Sequence, residues 1–141
     1  MSRLHQKKGL EVLLDAFLSL LEDRRYARWR LVIAGDGPSD YVLKLKGKVE
    51  SSSQRERIMF TGWMEGEKKG ALLGGASLLV LPSYQENFGL CVMEAMCHSV
   101  PVLVSPHVNL AEEIDTAGAG WVAPVEKDAL AATLAHALKD D

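Results

Sequence analysis

The chain has 141 residues, of which 48% are hydrophobic and 25% charged, with a formal net charge of -3. That length supports one domain with a real core, and the composition is that of an ordinary globular protein. The charge gives no support to general nucleic-acid binding, and the apolar runs are too short to span a bilayer. The segment Met1–Leu10 carries Arg3, Lys7 and Lys8 but lacks the apolar stretch of a signal peptide, so no targeting segment is read. Cys91 and Cys97 fall six apart on one predicted helix, on different faces, which points away from a mutual disulfide. They read as buried, reduced thiols of a cytoplasmic protein.

In chain order, Leu10, Leu13, Leu14, Phe17, Leu18 and Leu21 recur at helical spacing and predict a helix from about Gly9 to Arg25 with one buried face. Leu31–Ala34 is a β-type run closed by Gly-Asp-Gly-Pro, a strong turn. A helix over Ser39 to about Ser51 follows, with Ser39 as its cap. Arg57–Phe60 is a second strand, Glu65 to about Gly74 a third helix, and Leu78–Leu81 a third strand. The polar turn Ser83–Asn87 leads into a helical pattern starting at Phe88 or Gly89. Pro101–Val104, Asn109 to Ala117, Gly120–Ala123 and Glu126 to Lys139 complete the series as strand, helix, strand and helix.

Short, continuous, apolar strands alternating with helices predict an α/β fold, a doubly wound, Rossmann-like parallel sheet in a single domain. Ligands of such sheets bind at the carboxyl ends of the strands. Three loops leave those ends: Gly35–Pro38, Thr61–Met64 and Ser83–Gly89. A Rossmann-like unit opens with a strand, whereas Met1–Leu4 is short and polar, so the first strand is expected to be missing. The chain reads as a piece of a longer design.

The stretch Pro82–Met96, PSYQENFGLCVMEAM, organises the rest. A helix start presents free N–H groups and the positive end of the dipole, which attract an anion. Gly89 permits close backbone approach. Glu86 and Glu94 flank that point and can accept hydrogen bonds from hydroxyls. A ligand with a phosphate centre and hydroxylated ends, such as a sugar nucleotide, fits this description.

With these residues in place, the chain resembles the C-terminal, donor-binding domain of the retaining nucleotide-sugar glycosyltransferases of the two-domain B-type fold, the glycosyl transferases group 1 family. Arg3-Leu-His-Gln-Lys-Lys8-Gly9 resembles the family's Arg, four residues, Lys-Gly segment. LVIAGDGP (Leu31–Pro38), IMFTG (Ile58–Gly62), VPVLVS (Val100–Ser105) and GWVAP (Gly120–Pro124) follow in order. The hallmark is Glu, seven residues, Glu within Leu81–Met96. The resemblance implies that Glu86 accepts from donor-sugar hydroxyls and that Asn87, Phe88, Gly89 and Leu90 line the sugar and diphosphate. It implies that Glu94 holds the ribose, that Arg3 and Lys8 neutralise the leaving diphosphate, and that Trp63 and Met64 flank the base. It further implies a UDP- or GDP-type nucleotide sugar as substrate, no metal or other cofactor, and an N-terminal acceptor domain that is not in this chain. Departures from the family pattern are Ser99, where a small residue and often glycine is usual, and His107–Glu113, where a glycine pair is lacking.

Plainer readings stand beside these. Glu86 and Glu94 also suit a helix start by dipole alone, and Arg3 and Lys8 also suit a solvated chain end. Lys68-Lys69 reads as a solvated helix face, Asp36 as a turn residue, and Met93 and Met96 as core filling. Gly35-x-Gly37 is not a dinucleotide fingerprint, because Asp40 stands where the third glycine belongs. A non-catalytic nucleotide-sugar binding module, half of a split enzyme, and an epimerase- or phosphorylase-like enzyme on the same architecture are the alternatives.

Overall fold

The computed structural model describes residues 2–139. Six parallel strands alternate with six α-helices: β1 (Ser2–Arg3), α1 (Leu10–Leu20), β2 (Leu31–Asp36), α2 (Ser39–Glu50), β3 (Ile58–Gly62), α3 (Gly66–Gly74), β4 (Leu79–Leu81), α4 (Leu90–Cys97), β5 (Val102–Val104), α5 (Ala111–Ala117), β6 (Gly120–Val122) and α6 (Lys127–Leu138). The strands form two three-stranded parallel sheets ordered β1-β2-β3 and β4-β5-β6. Set end to end as β3-β2-β1 and β4-β5-β6, this is the strand order of a doubly wound dinucleotide-type sheet.

Where the first strand is expected to be missing, the described residues hold a two-residue strand, β1, and no more. β1 is two polar residues, and only its backbone qualifies it: Ser2 pairs with Gly35 and Arg3 with Asp36, and the Leu4 N–H donates to the Asp36 carbonyl at 2.8 Å. Sequence pattern cannot reveal so short a strand, because it carries no apolar alternation. It covers only the carboxyl end of β2.

Other boundaries shift by a few residues. Helix α1 stops at Leu20, and a 3₁₀ turn over Arg24–Tyr26 takes up the residues beyond it. Pro38, not Ser39, occupies the N-cap of α2, and no side chain caps it. Helix α4 starts at Leu90, with Gly89 as N-cap.

The core falls into three clusters. Leu14, Phe17, Ile33, Tyr41 and Leu45 join α1 and α2 to β2. Val92, Ala95, Val102, Val104 and Ile114 join α4 and α5 to β5. A third cluster, with Leu13, Leu103, Leu130 and Leu134, packs α1 and α6 together over β5. All three residues of β5 are fully buried, as expected of a strand covered on both faces. Cys91 is half-buried but Cys97 is exposed, both as free thiols, which corrects the reading of two buried cysteines. Met93 is also exposed, because α4 turns that face outward; Met96 does pack on the core. Among the described residues no helix is long and apolar enough to cross a membrane.

Candidate functional site

The strands are parallel within each sheet, and the loops that follow β1 and β4 meet where the Tyr84 N–H donates to the Lys7 carbonyl. The loop after β4 is built there on a buried polar base. Ser83 and Ser105 are fully buried, and the Ser105 hydroxyl donates to the Ser83 carbonyl. The Ser105 N–H reaches the Leu81 carbonyl at 3.3 Å, and the Ser105 oxygen accepts from the His107 N–H at 3.3 Å. Glu86 forms an isolated parallel bridge with Val108. The segment after β5 therefore holds the motif loop from beneath, and buried hydroxyls in such a base are satisfied by these bonds.

Lys8 reaches this loop through a short, well-determined path. His5 Nδ1 accepts from the Lys7 N–H at 3.1 Å and starts a 3₁₀ turn over Gln6–Lys8. Gly9 ends the turn with φ +67°, and a Cβ at Gly9 would overlap the Pro82 carbonyl. The Lys7 carbonyl accepts from the Tyr84 N–H at 2.7 Å. These contacts bring the Lys8 ammonium onto Glu86 Oε2, which also lies 3.5 Å from the Ser83 hydroxyl. Lys8 and Glu86 expose only 19% and 18% of their side chains, so the pair lies in a recess where charge is screened less than at the open surface.

Next to this pair, α4 begins without a side-chain cap. Gly89 takes φ +70°, a left-handed turn that glycine adopts at little cost. The positive end of the α4 dipole therefore lies just after Glu86 in the chain, at a buried Gly89. Asn87 is exposed, and Phe88 and Leu90 expose 55% and 64% of their surfaces, forming an apolar lip at the helix start.

Glu94 lies one turn into α4. Its Oε1 accepts from Lys69 Nζ on α3 at 2.6 Å. The hydrogen bond to Glu94 raises the Lys69 pKa above its ordinary value. Lys69 reads from sequence as solvated helix face, and the structure corrects this: it is a partly buried ion-pair partner across two helices. The two residues stand 25 apart on different elements, so no local spacing announces them. The buried Ser83–Ser105 contact, 22 residues apart, was missed for the same reason.

Other expected residues are placed less closely. Arg3 is exposed at the end of β1 opposite Asp36. Trp63 follows β3, is 54% exposed, and donates from its indole N–H to Glu65 Oε2 at 3.1 Å. Met64 beside it is half-buried. The structure thus joins Lys8 to Glu86 and Lys69 to Glu94, while Arg3 and Trp63 stand at the ends of β1 and β3, with β2 between them. Among the described residues no group of three or more His, Cys, Asp or Glu side chains is arranged to hold a metal ion.

A Rossmann-like parallel fold with cationic and carboxylate pairs at an uncapped helix start defines a domain suited to a phosphorylated, hydroxylated ligand. The family model for glycosyl transferases group 1 matches residues 1–141, and the chain belongs to that family. An uncharacterized glycosyltransferase of Methanocaldococcus jannaschii is 36% identical over 140 residues, covering 98% of this chain and 34% of the relative. The C-terminal domain of a glycosyl transferase group 1 family protein of Francisella tularensis superposes with a TM-score of 0.86 at 23% identity, covering 100% of this chain and 73% of that one. An Anabaena protein, HepE, solved in complex with UDP-glucose, superposes with a TM-score of 0.85 at 25% identity, covering 99% of this chain and 38% of its own. The chain spans about a third of the length of the curated relatives it matches.

Proposed function

We propose that this chain is the donor-binding part of a glycosyltransferase that moves a sugar from a nucleoside diphosphate to an acceptor with retention at the anomeric carbon, without a metal. The observation that carries the reading is the arrangement at the α4 start: an uncapped helix with Gly89 at its N-cap, the Lys8–Glu86 pair on one side and the Lys69–Glu94 pair on the other. The diphosphate lies against the N–H groups at Phe88, Gly89 and Leu90. Glu86 accepts from sugar hydroxyls, and Glu94 from the ribose, steadied by Lys69. Asn87 lines the sugar, and Trp63 and Met64 flank the base.

Breaking the bond between the anomeric carbon and phosphate places growing negative charge on the diphosphate. The helix start, Lys8 and Arg3 favour that charge more in the transition state than in the ground state, which is what lowers a barrier. Donation to Glu86 holds the Lys8 ammonium at the junction of sugar and diphosphate before any ligand arrives, so little reorganisation is needed. The bound UDP-glucose of the structurally similar Anabaena protein supports a nucleotide sugar as the ligand class.

The acceptor is supplied against a second, N-terminal domain in this reading, and the 141-residue chain alone transfers sugar poorly or not at all. Turnover by the purified chain at the rate of a two-domain enzyme would defeat this part. The donor site itself is tested by a thermal-shift panel of UDP, GDP, ADP and their sugars on the chain and on Glu94→Ala. Stabilisation by one nucleotide series, abolished in Glu94→Ala, is expected; no shift with any of them counts against the site.

A further inference from the structure

Six of the chain's seven arginines lie in two short segments: Arg24, Arg25, Arg28 and Arg30 ahead of β2, and Arg55 and Arg57 ahead of β3. The fold brings the two segments together. β2 and β3 pair in parallel with Leu31 opposite Ile58, so Arg30 and Arg57, one residue before each, are neighbours at the amino ends of the two strands. Each segment contains a 3₁₀ turn, over Arg24–Tyr26 and over Arg55–Arg57. The first turn is anchored by the buried Tyr26, whose hydroxyl donates to the Ala135 carbonyl at 3.3 Å.

Little of this charge is used within the molecule. Five of the six arginines are exposed and Arg57 is half-buried. Arg25 pairs with Asp23 at 2.6 Å; among the described residues no carboxylate forms an ion pair with the other five. The Arg28 guanidinium lies 5.1 Å from the centre of the half-buried Trp29 ring. Against the six arginines, the segments Glu22–Arg30 and Arg55–Arg57 carry only Glu22, Asp23 and Glu56, so this edge is cationic in a chain of net charge -3. A helix dipole favours a cation in its own last turn, and none of the six lies within α1 or α2.

We infer that this arginine edge docks the domain on an anionic phospholipid surface. The guanidinium fork matches phosphate oxygens in pairs and is weakly hydrated, so it gives up water readily to meet them. One bound phosphate needs one or two such forks, whereas arginines arrayed across the ends of two strands suit a field of headgroups. A basic cluster of this size reads as a lipid-binding one, and a tryptophan beside it suits the headgroup layer. A nucleic acid fits less well, because the rest of the chain is net acidic and only this edge is cationic. The edge is remote from the carboxylate pairs. The Leu4 N–H meets the Asp36 carbonyl at the far end of β2, Lys8 follows four residues on, and the strand from Arg30 to Asp36 spans roughly 20 Å. Docking here therefore leaves the Lys8–Glu86 pair clear of the lipid. The inference is independent of the donor site, and its test needs no nucleotide.

The test is sedimentation of the chain with vesicles of phosphatidylcholine alone and of phosphatidylcholine with about 30 mol% phosphatidylglycerol, in about 50 mM and about 500 mM salt. The double variant Arg30→Glu/Arg57→Glu is compared with Lys68→Glu/Lys127→Glu, which makes the same change of charge at exposed positions of α3 and α6. Melting by circular dichroism checks that both fold, and the lipid and salt comparisons on the unaltered chain stand whether or not they do. Each arginine near the surface is worth about a fivefold gain in partitioning. The unaltered chain is therefore expected to bind the anionic vesicles at least about tenfold more tightly than the neutral ones, and to lose that preference in high salt. Arg30→Glu/Arg57→Glu is expected to lower binding at least about tenfold and Lys68→Glu/Lys127→Glu less than about threefold. Equal partitioning into the two kinds of vesicle, or equal losses in the two variants, would overturn the inference. So would transfer of the chain from anionic vesicles to a single-stranded RNA of about 20 nucleotides when both are present, which marks a nucleic-acid surface.

Discussion

Replacing Gly9 with alanine tests the contact that carries Lys8 to the motif loop. Gly9 has φ +67°, and a Cβ there would overlap the Pro82 carbonyl and sit 3.1 Å from Val125 Cγ1. Two costs add. The left-handed backbone costs an L-residue about 1–2 kcal/mol, and overpacking against a fixed neighbour costs about 1–3 kcal/mol. Gly9→Ala is therefore expected to destabilise by about 2–5 kcal/mol. Gly118 supplies the control: its φ is +63°, but a Cβ there meets nothing within 4 Å, so Gly118→Ala carries only the backbone cost of about 1–2 kcal/mol. Urea unfolding followed by far-UV circular dichroism gives both values on one scale. Should the two variants lose the same stability within about 0.5 kcal/mol, close approach of Gly9 to Pro82 is not what fixes the turn, and the argument fails.

Ser99 is the one non-glycine residue with positive φ among those described, at +59°, so Ser99→Gly is expected to stabilise the chain by about 0.5–1 kcal/mol in the same assay despite the added chain entropy. Leu103→Ala removes a fully buried side chain from the central strand β5 and is expected to cost about 2–5 kcal/mol by the same unfolding measurement. The raised pKa of Lys69, caused first by its hydrogen bond to Glu94, means the folded state holds that proton more tightly than the unfolded chain. The contribution is complete below the unfolded lysine value of about 10.4 and is lost as pH rises through the higher folded value. Melting curves from pH 8 to 11 should therefore show a loss of stability at the alkaline end that is smaller in Lys69→Met; identical slopes in the two proteins would refute the linkage.

Much of this architecture is legible in the sequence because its strands are unbroken apolar runs and its turns carry Gly, Pro and Asp. Leu31–Ala34 and Leu79–Leu81 announce themselves in this way, and so does the motif between Glu86 and Glu94. What was not legible depends on backbone pairing or on distance along the chain. β1 is a strand only because Ser2 and Arg3 pair with Gly35 and Asp36; their side chains carry no strand signal. Lys69 looks like any lysine on a polar helix until α3 is packed beside α4 and Glu94 comes within 2.6 Å. Ser83 and Ser105 look like loop residues until the ends of β4 and β5 are laid side by side. Met93 shows the converse: an apolar residue on a helix of eight residues need not face the core, and here it faces solvent.

The central claim, that the α4 start receives the diphosphate of a nucleotide sugar, is tested most directly by titrating UDP and GDP into the isotopically labelled chain and following the backbone amide resonances. The account predicts saturable shifts concentrated at Asn87–Leu90 and extending to Lys8, Glu86, Lys69 and Glu94. Saturable shifts that leave Phe88, Gly89 and Leu90 unmoved and cluster elsewhere on the chain would contradict it.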